Sequence, residues 1–389
     1  MTFCFFSAQY LPTVGGVERY TYNLARSLVQ KGHSALVVTS ALPGLPAQET
    51  QDGIDIVRLP AFLLINGRFP ILRPCAALRK AKRALYKTPL DFIVVQTRFY
   101  PACLLGARMA KRRKIPAMIL EHGTAHLLRG GLAGLLGNAY EHGMLRLIRH
   151  FCDNFYGVSA ACAAWLSHFG VHVPSDRVLY NAVDPAELQR IAAACGSAFL
   201  APYGCGDPRT LVIAFSGRFI PEKGVLPLLD AFAAVRKKHA DAVLLLAGDG
   251  PQFTEMKAHL PAGAYLLGML PHAQNLALLA RADLYCLPTF SEGFSTAILE
   301  AAALRAAIVT TATGGSPELL CDESYGLLLP DMRAESIAAA LERALSDSAW
   351  RTAAGENTYR RLTQLFTWDK VSDRLIFLAQ EAQSAPGSL

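Results

Sequence analysis

Apolar and β-branched runs of four to six residues alternate along this chain with longer stretches whose apolar positions recur every three to four residues. In the first half the short runs predict strands at 2–7, 35–39, 54–59, 92–96, 117–121 and 154–158, and the longer ones predict helices at 17–31, 75–85, 102–113, 139–151 and 160–169. A fresh series of strands opens at 211–216 and continues at 242–247, 264–267, 284–287, 307–311 and 326–329. Strands separated by crossover helices predict parallel sheets in an α/β protein. Between the series lies 171–208, with Pro174, Pro185, Pro202 and Pro208 and the turn Asn181-Ala182-Val183-Asp184, so the linker is placed near residue 180. The second half is no sequence copy of the first, and no internal repeat is read.

The 389 residues suit two domains better than one. A chain that is 52% hydrophobic and 18% charged reads as globular. None of the nine cysteines forms a CxxC pair, and all read as thiols in a reducing compartment. No stretch reaches the roughly 18 to 20 apolar residues that span a bilayer, and the run 2–8 reads as a strand. A cytoplasmic protein is expected. Its net charge of +7 is uneven: 68–114 holds 13 Lys and Arg against one acid, Asp91. Such a field suits an anionic surface, whether membrane, lipid-linked phosphate or nucleic acid. The run lacks a recognisable nucleic-acid module, so nucleic acid is set aside. Interleaved Phe69, Ile71, Leu72, Leu78, Leu85 and Tyr86, with the leucine-rich 129–149, favour a peripheral seat on a membrane.

Ligands of paired α/β domains gather at carboxyl ends of strands, and the candidate chemistry falls there. The loop 291–296 runs into a predicted helix at 297–304. Ser295 or Thr296 is placed to cap that helix, whose first N–H groups would seat a diphosphate. Glu292 precedes this seat and Glu300 lies within the helix, so one carboxylate can face a sugar while the other reaches a ribose. Arg218 and Lys223, after the strand 211–216, are two cations able to neutralise a diphosphate leaving group. Gly15-Gly16 permits close backbone approach, and Gly248-Asp249-Gly250 is turn chemistry first. His122 ends the strand 117–121 and could hydrogen-bond a sugar. No GxGxxG appears, which sets aside a dinucleotide fold, and no HExxH or comparable spacing predicts a metal.

Taken in order, these residues resemble retaining glycosyltransferase family 4, whose GT-B fold sets two Rossmann-like domains facing each other across a cleft. The resemblance rests on Gly15-Gly16-Val17-Glu18-Arg19, Asn181-Ala182-Val183-Asp184, Gly217-Arg218 with Glu222-Lys223-Gly224, the EX7E pair Glu292 and Glu300, and Gly314-Gly315-Ser316-Pro317-Glu318. It implies an acceptor-binding domain over 1–180, a nucleotide-sugar domain over 181–366, and a helix in 367–389 returning to the first domain. Glu292 would contact the donor sugar within a substrate loop of Gly293, Phe294, Ser295 and Thr296. Glu300 would hold the ribose, Arg218 and Lys223 the diphosphate, and backbone around Gly268, Met269 and Leu270 the base. Gly15 and Gly16 would approach the phosphates or sugar, with His122 beside the sugar. No cofactor or metal would be required, and the leaving phosphate itself would help deprotonate the acceptor.

The activity implied is transfer of a hexose or N-acetylhexosamine from a nucleoside-diphosphate sugar, UDP favoured and GDP open. The acceptor would be a glycan or glycolipid such as a lipid-linked oligosaccharide, lipopolysaccharide or exopolysaccharide precursor. Two other readings stay open: a sugar-nucleotide epimerase or hydrolase on a similar scaffold, and a non-catalytic nucleotide-sugar-binding subunit. The chain departs from the family at Arg305 and Ala307, where a helix-ending glycine and a proline are usual, and at Ala182, where glycine is commoner.

Overall fold

A computed structural model describes residues 1–384 except 14, 66, 68 and 129. Arg68 and Arg129, which bound the two membrane-facing stretches read above, therefore lie outside the described residues, as do Val14 and 385–389. The chain divides into two units, Met1–Tyr180 with Trp368–Leu389, and Asn181–Thr367.

The first unit begins with β1 (Thr2–Phe6), α1 (Gly16–Gln30), β2 (Ser34–Ser40), β3 (Gln48–Gln51) and β4 (Ile54–Leu59). The hairpin β5 (Ala61–Leu64) and β6 (Phe69–Leu72) and the helix α2 (Ala76–Leu85) follow. Then come β7 (Phe92–Gln96), α3 (Pro101–Arg113), β8 (Ala117–Glu121), α4 (Gly131–Arg149), β9 (Phe155–Gly157) and α5 (Ala160–Trp165). Its seven-stranded sheet has the order β3-β4-β2-β1-β7-β8-β9 and is parallel except for β3. Phe3, Phe5, Val37 and Val94 are fully buried because helices cover both faces, which is why these strands read as continuous apolar runs. β3 has the sequence Gln-Glu-Thr-Gln, a polar edge with no apolar signal to betray it.

The second unit contains α6 (Pro185–Cys195), β10 (Leu211–Ser216), α7 (Val225–Val235), β11 (Ala242–Ala247), α8 (Phe253–Ala258), β12 (Ala264–Gly268) and α9 (His272–Arg281). After them come β13 (Leu284–Leu287), α10 (Thr296–Ala303), β14 (Ala307–Thr311), α11 (Ser316–Leu319), β15 (Leu327–Leu329), α12 (Ala334–Ser346) and α13 (Ser348–Leu365). All six strands are parallel, in the order β12-β11-β10-β13-β14-β15. The stretch read only as linker holds α6, whose start is fixed by Asp184 accepting from the Glu187 N–H at 3.0 Å and by Pro185 in the first turn.

The chain then returns to the first unit as α14 (Trp368–Ser384), which lies along α1. Lys31 pairs there with Asp369 at 2.8 Å and Asp373 at 2.5 Å, Ser27 meets Ser372 at 2.9 Å, and the Trp368 ring stands edge-on to Tyr20.

Two readings need correction. Helix α4 begins at Gly131, not 139; Gly131, Gly134 and Gly137 weaken the helical signal, although the latter two are buried where the helix packs closely. The apolar residues interleaved with the basic stretch are not an outer face: Leu78 and Leu85 are buried and Phe69, Ile71, Leu72 and Tyr86 half-buried. Among the described residues no helix is long and apolar enough to cross a membrane.

Candidate functional site

The candidate residues fall into two groups, one in each unit. In the second unit, the turn after β10 and the loop after β13 are tied together. The Glu222 carbonyl accepts from the Phe290 N–H at 3.1 Å and from the Thr289 hydroxyl at 2.9 Å. Gly224 has φ +63°, and any side chain there would run into the Pro288 carbonyl, so only glycine lets the two loops close. This closure places the Lys223 ammonium in an ion pair with the Glu292 carboxylate, both largely shielded from solvent. Gly314, at φ +59°, presses in the same way on the Gly293 carbonyl, and the Gly315 N–H donates to it at 3.0 Å. Arg218, one residue after Gly217, is exposed.

Helix α10 starts at Thr296. Ser295 stands at the cap position, but its hydroxyl caps nothing. The order comes from Asn181, whose side-chain amide donates to the Phe294 carbonyl at 2.9 Å and to the Thr296 hydroxyl at 3.0 Å. Phe294 is a core residue, packed edge-on against Phe366 and beneath Gly315. Its side chain fills the interior, so only its backbone borders the loop. Glu300 is buried in α10 and its Oε1 lies 2.9 Å from Nε2 of His272, the first residue of α9. The fully buried Tyr285 feels the charge of both carboxylates, and its hydroxyl donates to the Ser216 carbonyl at 3.1 Å. Burial first, then the charges of Glu292 and Glu300, push its phenol well above the ordinary tyrosine range. Gly268 ends β12 at φ +67°, followed by a largely exposed Met269 and a half-buried Leu270.

In the first unit, a side chain at Gly15 would meet the Glu18 carboxylate, which folds back over the start of α1, whereas the space above Gly16 is open. Burial raises the Glu18 carboxyl above its ordinary value. His122 stacks edge-on against Tyr20 with ring centres 4.8 Å apart, and its Nε2 is 2.5 Å from the Gln96 Oε1. Burial pushes the imidazole down to about 3, so the ring is neutral at pH 7. With Gln96 accepting, Nε2 carries the proton and Nδ1 is an acceptor.

Beneath His122 lies a buried cluster with no motif to announce it. Arg98 donates to Glu121 at 2.5 Å and to Glu141, on α4, at 2.6 Å. The other oxygen of Glu121 accepts the N–H groups of His122 and Gly123 at 3.1 and 3.2 Å, and that of Glu141 accepts the Leu127 N–H at 2.7 Å. The guanidinium lies over the Phe169 ring at 4.4 Å. One cation thus bridges two carboxylates that hold both ends of the loop carrying His122. Sequence reasoning does not single out Asn181 for this role, nor His272, Tyr285, Gln96, Arg98 or Glu141 for any. Elsewhere in the basic stretch Arg79, Lys80 and Arg83 line a hollow of about 460 Å³ on α2. Among the described residues no three His, Cys, Asp or Glu side chains cluster as metal ligands.

Two family models match the chain: Glycosyltransferase Family 4 over residues 14–187 and Glycosyl transferases group 1 over 207–361. A component of the phosphatidylinositol N-acetylglucosaminyltransferase of Arabidopsis thaliana is 24% identical, over 94% of this chain and 78% of its own. The glycogen synthase of Mycobacterium tuberculosis is 26% identical, over 94% and 91%. Among solved structures, Anabaena HepE in complex with UDP superposes with a TM-score of 0.73 at 17% identity, over 98% of this chain and 99% of its own. The same protein has been solved with UDP-glucose. Together the two matches take in most of both units, and the chain belongs to glycosyltransferase family 4, with the GT-B fold.

Proposed function

We propose that this protein is a retaining, metal-independent hexosyltransferase. It moves a hexose or N-acetylhexosamine from a nucleoside-diphosphate sugar, UDP favoured, to a glycan acceptor on a lipid carrier, such as a lipopolysaccharide or exopolysaccharide precursor. The observation that carries the reading is the Lys223–Glu292 pair at the loop leading into α10, with Glu300 one helix turn and more beyond. A cation, a helix amino end and two carboxylates at the end of one sheet are what a sugar diphosphate needs. HepE, solved with UDP and UDP-glucose, supports the donor class, and the phosphatidylinositol N-acetylglucosaminyltransferase relative supports a lipid-borne acceptor.

In the step proposed, the bond from the sugar C1 to the β-phosphate oxygen breaks and its electron pair stays on the diphosphate. Lys223, Arg218 and the first N–H groups of α10 neutralise that charge, each contributing up to a few kcal/mol. The acceptor hydroxyl attacks C1 on the face the phosphate leaves, and its proton passes to a phosphate oxygen. Glu292 holds the sugar hydroxyls, Glu300 the ribose, and the loop at Gly268, Met269 and Leu270 the base. Neutral His122 accepts or donates one hydrogen bond to the sugar, and Gly15 and Gly16 leave room for it. The protein works at an anionic, cytoplasmic membrane face.

A panel of UDP-, GDP- and ADP-sugars, with glycolipid acceptors and with none, tests this. Transfer with retained anomeric configuration and no loss in EDTA is expected. An isomerised sugar or free sugar alone would instead mark an epimerase or hydrolase, and binding without any turnover a non-catalytic subunit. Lys223→Ala and Glu292→Ala should each lower transfer by orders of magnitude at unchanged melting temperature; near-normal turnover in both sinks the assignment.

A further inference from the structure

Helix α4 is built inside out. At 100° per residue, positions 134, 137, 141, 145 and 148 fall on one narrow arc, and these are the buried ones: Gly134, Gly137, Glu141, Leu145 and Ile148. The opposite arc, roughly 140° wide, carries Leu132, Leu135, Leu136, Tyr140 and Leu147. Leu132, Leu135 and Leu136 are 71%, 67% and 62% exposed. A surface helix of a water-soluble protein places its apolar stripe inward and its charges outward. Here the only carboxylate of the helix points inward to Arg98, and the outward face has three leucines within two turns.

The β5–β6 hairpin adjoins this face. Phe69 of β6 packs edge-on against Tyr140 at 5.7 Å, and the Tyr140 hydroxyl anchors to the Phe99 carbonyl at 2.7 Å. Phe62 and Leu64, alternate residues on one side of β5, and Ile65 beyond them are about half exposed or more. Ile65 holds φ +52°, an unfavourable conformation for a β-branched residue. Neither segment exposes an acid: 61–72 contains none, and Glu141 of α4 is buried. Where the stripe ends, the chain turns mainly basic, with Arg146, Arg149 and His150 all exposed, Arg149 pairing with the exposed Asp153 at 2.9 Å and Lys111 donating to the His150 carbonyl at 2.5 Å.

We propose that the outward face of α4 and the end of β5, at Phe62, Leu64 and Ile65, form a membrane-docking surface, which seats its leucines among acyl chains while Arg146 and Arg149 reach anionic headgroups. The occupant is a bilayer, not a globular partner, because the outward arc of the helix grades from leucines to Arg146 and Arg149 and carries no carboxylate of its own. That gradient matches the layering of an anionic leaflet, where cations snorkel from an apolar base. A protein partner's interface would have a polar rim around its apolar centre. The proposal deepens the membrane-side reading given above and rests on it for its purpose, but its test needs no turnover.

The full chain is mixed at low salt with phosphatidylcholine vesicles, with and without phosphatidylglycerol, and the bound fraction is measured by flotation. Wild type should float, more strongly with the anionic lipid. Leu135→Asp/Leu136→Asp and, separately, Ile65→Asp should each lower the partition coefficient about tenfold or more, since each places a charge in the apolar layer. Arg146→Glu/Arg149→Glu should abolish the preference for phosphatidylglycerol and leave residual binding to phosphatidylcholine. All variants should keep wild-type far-UV spectra and UDP affinity, because every altered side chain is exposed and none belongs to the donor site. If the aspartate variants float as wild type does, the surface is misassigned. If wild type ignores vesicles and elutes as a dimer that these aspartates dissociate, the face is a contact between copies and the proposal is overturned. Intact UDP affinity with lost flotation leaves the transferase reading standing; lost UDP affinity in wild type removes that reading alone.

Discussion

Lys223 and Glu292 hold each other before any donor arrives, so altering the two should move diphosphate binding in opposite directions. Lys223→Ala deletes a charge-assisted hydrogen bond to phosphate, worth about 1.5–3 kcal/mol, and should weaken UDP about 10- to 150-fold. Glu292→Gln keeps the shape of the side chain but removes a carboxylate that competes for the same ammonium. The two side chains are only 14% and 18% exposed, yet they sit in a polar loop rather than a dry core. The attraction given up on donor binding is then about 0.5–1 kcal/mol, and Glu292→Gln should bind UDP about 2- to 5-fold tighter. Its transfer rate should nevertheless fall by two orders of magnitude or so, because the sugar loses its carboxylate partner. Isothermal titration with UDP in chelator-treated buffer measures the first effect and donor turnover the second. If Glu292→Gln weakens UDP as Lys223→Ala does, the carboxylate is no competitor and the donor model is wrong. An unchanged dissociation constant in Lys223→Ala would remove the ammonium from the diphosphate altogether.

Three further predictions concern the scaffold. Glu141→Leu leaves one arm of the Arg98 guanidinium and the Leu127 N–H without an acceptor, with Glu121 still paired to Arg98, and should cost about 2–5 kcal/mol, whereas Glu141→Gln keeps one carbonyl acceptor and turns the other oxygen into a donor, and should cost about 1–3 kcal/mol; a glutamine shift in urea unfolding as large as that of leucine would contradict the cluster's geometry. Arg305 ends α10 at φ +62°, with its guanidinium 3.6 Å above Tyr359 and an exposed pair to Glu356. Arg305→Gly trades those contacts for relief of a left-handed backbone and should stay near wild type, while Arg305→Ala keeps the strain and should be about 1 kcal/mol less stable than the glycine variant; equal stabilities would show that no strain is held there. His122 titrates lower in the fold than in the unfolded chain, so its contribution is complete above pH 6.5 and is lost as pH falls from 6.5 towards about 3; the stability of His122→Gln should fall less steeply over that window, and parallel pH profiles would refute the burial argument.

Most of the strand positions were legible because a parallel strand covered on both faces is apolar at every position, and runs such as Phe3–Phe6 or Leu244–Leu246 admit little else. The loop at Glu292 was legible because glycines and a carboxylate follow a strand and precede a helix. The Arg98 cluster was not. Its partners lie 23 and 43 residues away, and a single arginine inside a strongly basic stretch reads as one more surface cation. The hairpin did leave a signal, Asn66-Gly67 between two apolar runs, but attention to charge read those runs as a greasy border to basic residues. Asn181 was recognised as part of a turn; that its amide would order the start of α10, 115 residues on, is a tertiary fact no local pattern contains.

Helix α4 shows why position must be read before identity. Counting its leucines alone suggests an ordinary amphipathic helix with a buried apolar face. The turn-by-turn spacing says the reverse, since Gly134, Gly137 and Glu141 share an arc with Leu145 and Ile148, and small residues on one side let a helix approach its neighbour closely. Each inversion has a cost: a buried carboxylate must be fully hydrogen-bonded, and exposed leucines forgo about 1.5–3 kcal/mol apiece relative to burial. Arg98 and the Leu127 N–H meet the first cost within the fold. Among the described residues of the first unit nothing covers Leu132, Leu135 and Leu136, and sequences keep such local violations mainly where function requires them. The apolar face of α4 is therefore better explained by what the unit binds than by how it folds.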